Sequence, residues 1–157
     1  MPTNPVKSLS RAATSTFESL AFLVPEECPA AGAELVPLAA GASVTWRGPL
    51  AGRVVVGVAE GVLHAVAGNM LGEAAGADPA VRRDALGEVA NVVTGNVLPL
   101  VAGAAAVFRL DAPRVHDGAP SFAPAPGEVR AAIVHLRMDE GDAVVAFFAD
   151  AAAQEAA

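Results

Sequence analysis

The sequence predicts a two-layer α+β domain in which an antiparallel sheet packs against helices, with a pseudo-duplicated order of elements. Two observations carry the sheet. Residues 44–47 and 53–58 are β-rich runs joined by Gly48-Pro49-Leu50-Ala51-Gly52, and residues 129–138 and 143–149 are apolar runs joined by Asp139-Glu140-Gly141-Asp142. A third observation supplies the helices: three segments carry apolar residues at helical spacing. Strands of adjacent hairpins pair antiparallel, and helices with one apolar face must lie on the sheet. Each half opens with a helix and continues into a hairpin, as if one unit were repeated with drift. The 157 residues make one domain, with a flexible N-terminus at 1–9, the folded domain at 10–149 and a flexible tail at 150–157.

Taken in order, Ser10 stands before Ala13, Phe17, Leu20, Ala21 and Val24, which recur at three and four, and Pro25 forbids continuation. Residues 25–42 are rich in Pro, Gly and Ala. Within them Glu34-Leu35-Val36-Pro37-Leu38 offers one short strand, demoted to an edge by its proline. After the first hairpin, residues 60–71 return to helical spacing through Val62, Ala65, Val66 and Met70, and close at Gly72. Asp78 then caps a third helix with Pro79 at its first position. That helix runs at least to Gly95-Asn96 and passes Pro99 with a kink, ending near Gly103. Residues 104–110 read as a strand, 116–127 as a loop, and the second hairpin follows.

Composition removes several function classes. Ten Lys plus Arg against seventeen Asp plus Glu give a net charge of -7, so there is no basic surface for nucleic acid. Although 54% of the residues are hydrophobic, Ala is the commonest and Tyr is absent, which leaves Val, Leu and six Phe as the core formers. The longest apolar run, 97–108, is well short of the roughly 20 residues that cross a bilayer, and no membrane partner is expected. The first seven residues lack the pattern of a secretory signal, so a cytoplasmic location is expected. Cys28 is alone, which excludes a disulfide framework or thiolate cluster. His64, His116 and His135 show no metal-ligand spacing. His64 is expected to pack beneath the second helix, His116 to lie in a loop and His135 on a strand, all in structural roles.

The third helix carries the one chemical constellation. At about 100° per residue, Asp84, Glu88, Asn91 and Gly95 fall within a wedge of roughly 60°, while Leu86, Val89, Val93, Val97 and Leu100 lie about 180° away. Burying the apolar face therefore points the polar stripe outward. Glu88 and Asn91 are one turn apart, and Gly95 leaves the next turn bare for close backbone approach. Such a triplet alone is what many solvated helix faces carry.

More of the chain agrees. The stretch Asp84-Ala85-Leu86-Gly87-Glu88-Val89-Ala90-Asn91-Val92-Val93-Thr94-Gly95-Asn96 resembles the signature helix of the CheX and CheC family, bacterial chemotaxis phosphatases that remove the acyl phosphate from the receiver protein CheY. Val44-Thr45-Trp46-Arg47-Gly48 with Gly52-Arg53-Val54-Val55 is similar to the family's first hairpin, and Ala67-Gly68-Asn69-Met70-Leu71-Gly72 to the end of its second helix. Pro113-Arg114-Val115-His116-Asp117-Gly118 is similar to its Pro-x-Val-x-x-Gly loop. The resemblance spans about residues 10–149. It implies a CheC/CheX-like fold and a phosphatase of a phosphorylated CheY-like receiver. Glu88 would pair with a receiver lysine, Asn91 would enter the phosphorylation site and position the attacking water, and Asp84 and Gly95 would support partner binding. The chain would need no cofactor of its own, because the receiver supplies Mg2+ and the phosphorylated Asp.

On the first helix the matching positions are Thr14, Glu18 and Ala21, so the Asn is replaced and that site is expected to be dead. One active stripe fits the single-site CheX pattern, which implies a homodimer. The alternative is a non-catalytic receiver-binding or dimerisation module, suggested by the dead first site and by Pro99 inside the helix with the live one. A flagellar switch or scaffold relative ranks last.

Overall fold

The computed structural model describes residues 4–151. Helix α1 (Pro5–Ser19) is capped by Asn4, whose Oδ1 accepts from the backbone N–H groups of Val6 (3.1 Å) and Lys7 (3.3 Å), with Pro5 in the first turn. This corrects the expected start at Ser10 and the expectation of a flexible segment over residues 4–9; residues 1–3 of that segment lie outside the described residues. Asn-Pro is a complete start signal, and the turn it opens buries Leu9 fully. The helix ends before Pro25: Phe22 reverses the chain at φ 58, and the Leu23 N–H closes on the Phe17 carbonyl at 3.0 Å.

The strands are β1 (Glu26–Cys28), β2 (Ala40–Arg47), β3 (Gly52–Val58), β4 (Arg109–Leu110), β5 (Arg114–Asp117), β6 (Glu128–Met138) and β7 (Gly141–Asp150). They form one sheet in the order β1-β6-β7-β3-β2-β4, with β5 further along the same edge of β2, and every pairing is antiparallel. Both predicted hairpins are present. They meet in the middle of the sheet, where Val55 stands opposite Ala146 in the β3–β7 ladder.

Helices α1, α2 (Glu60–Leu71) and α3 (Pro79–Ala102) cover one face. Helix α1 lies over β6 and β7, α3 over β2 and β3, and the two helices pack on each other. Each helix thus covers the hairpin of the other half: α1, which precedes β2–β3 in the chain, lies over β6–β7, and α3, which precedes β6–β7, lies over β2–β3. The main core lies between these layers and includes Phe17, Trp46, Leu86, Val93, Leu136 and Phe147. Helix α3 is long and apolar enough by length and composition to cross a membrane, yet half of its most apolar window is buried here as a core helix.

Four expectations are corrected. Residues 34–38 are not an edge strand: Ala33–Leu35 is a 3-10 turn, and Val36 and Leu38 pack on the opposite sheet face against a second cluster of Val55, Phe122, Val144 and Phe148. An edge strand could not reach that face. Gly41 and Gly57, opposite each other in the β2–β3 ladder, make room for this cover, since a Cβ on either would meet Pro120 or Leu38 within 2.7 Å. The strand expected over 104–110 shrinks to β4, because 104–106 are three alanines with no β-branched side chain to pack. His116 lies on β5 opposite Gly41 rather than in a loop, because the free edge of β2 pairs with its backbone. His64 is exposed rather than beneath α2, its ring set against Gly76 in the 3-10 turn Glu73–Ala77. Asp150 closes β7, while residues 152–157 of the expected tail lie outside the described residues.

Candidate functional site on the third helix

Helix α3 begins where the sequence predicts. Asp78 Oδ1 accepts from the N–H groups of Ala80 (3.0 Å) and Val81 (3.4 Å), and Pro79 occupies the first turn. From there Ala85, Leu86, Val89, Ala90, Val93, Thr94, Val97 and Leu98 are buried. The opposite stripe faces solvent: Asp84, Glu88 and Gly95 are exposed and Asn91 is half-buried. Leu100, expected on the buried side, is partly buried and packs against the core.

The side-chain hydrogen bonds of α3 belong to Asp78, Arg82, Arg83, Thr94 and Asn96. Among the described residues, the side chains of Asp84, Glu88 and Asn91 make none. The carboxylates and the amide therefore keep their full hydrogen-bonding capacity for a partner. Gly95 extends the stripe by one turn, and a Cβ placed on it would meet no atom within 4 Å.

The helix is held from both sides. Asn96 Nδ2 donates to Thr16 Oγ1 of α1 at 3.1 Å, and the Thr16 hydroxyl donates to the Ala12 carbonyl at 2.7 Å. On the other side, Arg83 Nη2 donates to the Val115 carbonyl at 2.8 Å and Nη1 lies 3.4 Å from Asp117 Oδ2. Gly87 is buried beneath this strap: a Cβ there would stand 3.3 Å from Val115 Cγ2 and 3.4 Å from Pro113 Cβ. The Pro113 segment singled out in the sequence thus rests on the turn that bears Glu88. Sequence reasoning did not assign Arg83 or Gly87 this role. The only signal was their proximity to Glu88 in the chain, because β5 reaches α3 from some 30 residues downstream.

The matching region of α1 differs in backbone as well as in residue type. Glu18 is exposed, but Ala21 lies beyond the helix end, is fully buried, and its carbonyl accepts from Asn69 Nδ2 at 2.9 Å. The first helix therefore presents no outward pair like Glu88 and Asn91. The histidines stand elsewhere: His135 Nε2 lies 2.8 Å from Asp142 Oδ1 on the strand side of the molecule. Among the described residues, no group of three or more His, Cys, Asp or Glu converges as a metal-holding set.

A family model described as chemotaxis phosphatase CheX matches residues 40–137, which includes the whole of α3. Among solved structures, the chain is similar to the chemotaxis protein CheX from Vibrio vulnificus, with a TM-score of 0.75 at 18% identity over 94% of this chain and 98% of that one. It is similar to a chemotactic CheC-like protein from Shewanella oneidensis, with a TM-score of 0.70 at 21% identity over 94% and 99%. The CheX of a CheX–CheY complex with BeF3 and Mg2+ from Borrelia burgdorferi aligns with a TM-score of 0.58 at 16% identity over 91% and 95%. No curated protein matches the chain.

Proposed function

Because this chain belongs to the CheX family of chemotaxis phosphatases, we propose that it hydrolyses the aspartyl phosphate of a CheY-like receiver domain, with Glu88 docking the receiver and Asn91 positioning the water. The observation that carries this reading is the pair itself, one helical turn apart, on the outward side of α3 and, among the described residues, engaged by no other side chain. Glu88 pairs with a receiver lysine, a charge-assisted contact. The Asn91 amide, which donates through nitrogen and accepts through oxygen, enters the phosphorylation site and holds a water in line with phosphorus.

The water oxygen forms a bond to phosphorus as the bond from phosphorus to the acyl oxygen breaks. The receiver aspartate leaves as a carboxylate, and the proton of the water passes to the released phosphate. Orientation of a reacting group can remove as much as about 7–11 kcal/mol of barrier, so no nucleophile from this chain is required. The chain brings no cofactor to the reaction; the receiver supplies Mg2+.

Decay of phosphate on CheY-like receiver domains, with and without the protein, tests the reading. Asn91→Ala is expected to return the decay to that of the receiver alone with the fold intact. Glu88→Ala is expected to raise KM about tenfold or more, since hydrogen bonds to charged groups contribute about 1.5–3 kcal/mol. Acceleration that survives Asn91→Ala would refute the assignment. Binding of receiver without any acceleration by the parent protein would instead make this a non-catalytic receiver-binding module.

A further inference from the structure

The exposed stripe does not end at Gly95. Pro99 is also exposed, and at 100° per residue it lies about 20° around the helix from Glu88. A proline has no N–H, so the Gly95 carbonyl cannot receive the bond that residue 99 would donate in a regular helix. The helix nonetheless runs on to Ala102, and the Pro99 carbonyl accepts from the Gly103 N–H at 2.9 Å. Gly95 is exposed and has no side chain to cover that turn, one turn beyond Asn91, and a Cβ placed on it would meet no atom within 4 Å.

Packing does not explain this arrangement. Proline is the least favourable residue for a helix interior and glycine the next, both well below alanine. Both stand on the solvent side, where an alanine at either position would be free of the core. Their spacing of four is the spacing that leaves one carbonyl without a donor.

We propose that the Gly95 carbonyl, freed by Pro99, is a docking acceptor for an N–H or ammonium group of the phosphorylated receiver, and that this contact fixes the depth at which Asn91 enters. The inference rests on the receiver-binding reading above and adds a residue pair to it. An acceptor on the helix backbone cannot swing as a side chain does, so it sets register along the stripe while Glu88 supplies the charge.

Selective labelling separates this contact from the rest of the surface. With 13C-carbonyl glycine and 15N asparagine, only Gly68-Asn69 and Gly95-Asn96 give carbonyl-to-amide correlations. Gly68 is the internal control, because its carbonyl already accepts from the Gly72 N–H at 2.9 Å. On titration with a beryllofluoride-loaded CheY-like receiver domain, the Gly95 carbonyl resonance is expected to move downfield and the Gly68 resonance to stay. Pro99→Ala, which restores the donor, is expected to move Gly95 toward the Gly68 position in the free protein and to raise KM for the phosphorylated receiver about tenfold. Receiver binding with Gly95 unmoved, or an unchanged KM for Pro99→Ala, overturns this proposal and leaves the Glu88 and Asn91 reading standing. A Gly95 shift without turnover supports the docking contact and removes the catalytic reading. Absence of binding to every loaded receiver overturns both.

Discussion

Asn96 of α3 donates to Thr16 of α1 across 3.1 Å, so the helix that bears Glu88 and Asn91 is joined to its counterpart in the other half of the molecule by a side-chain bond. The Thr16 hydroxyl is fully buried and also bonds back to Ala12, which leaves it one orientation. The bond therefore fixes where α3 sits on α1 in a way that apolar contacts alone do not.

Thr16→Val keeps the shape and deletes the hydroxyl. Asn96 is exposed and can turn its amide to water, so the expected loss is that of one net hydrogen bond, about 0.5–1.5 kcal/mol. Denaturant midpoints of Thr16→Val, Asn96→Ala and the double variant check this. Equality of the double variant's loss to the sum of the singles would show that the two side chains do not act together.

Gly95→Ala is expected to separate stability from function. The space around residue 95 is open and an interior alanine is favoured over glycine by about 1 kcal/mol, so thermal stability should rise. The added methyl stands on the stripe proposed to dock the receiver, so dephosphorylation of the receiver should slow. A variant that is both more stable and fully active would remove Gly95 from the interface.

Restoring the amide at the first helix should fail. Ala21→Asn places a polar side chain where alanine is fully buried, beyond the end of α1. Burying it without a partner costs about 1–3 kcal/mol, and no second active stripe should appear. Residual phosphatase activity in an Ala21→Asn, Asn91→Ala double variant would contradict this.

Glu128 is one of the carboxylates whose pairing makes stability depend on acid pH. Arg53 binds it with two bonds, Nε to Oε2 at 2.7 Å and Nη2 to Oε1 at 2.9 Å, and the Arg53 guanidinium also stacks 4.2 Å over the Phe148 ring. These hydrogen bonds hold the Glu128 carboxyl below the ordinary range against the opposing effect of burial. A lowered folded pKa stabilises the protein above the unfolded value, about pH 4.3. That contribution is lost as pH falls from there through the lower folded value. Glu128→Gln is therefore expected to cost about 1.5–3 kcal/mol at pH 7, with the gap from the parent narrowing below pH 4. A gap that is constant with pH would exclude Glu128 as the titrating group.

The elements that bear the site were legible because their signals are local. Asp78-Pro79 opens α3 through bonds to its own first turn, and the 3.6-residue period of Leu86, Val89, Val93 and Val97 decides which side meets the sheet. Once that side is buried, Glu88 and Asn91 must point away from it. The apolar spacing after Ser10 marks the buried side of the first helix but not its start, which the Asn4-Pro5 cap sets five residues earlier. The place of residues 34–38 is not legible in the sequence, because a short apolar run does not say which face of the sheet a segment will cover.

The sequence by itself determined both hairpins, the α2 and α3 helices, and the outward side of the acid and amide pair, since periodicity and capping act within a few residues. Only the tertiary structure decided that Pro113 and Val115 rest on Gly87, that Thr16 anchors Asn96, and that Ala21 is buried off the end of its helix. Those contacts join residues some 25 to 80 positions apart, and their geometry is set by the sheet order β1-β6-β7-β3-β2-β4, which no local pattern encodes.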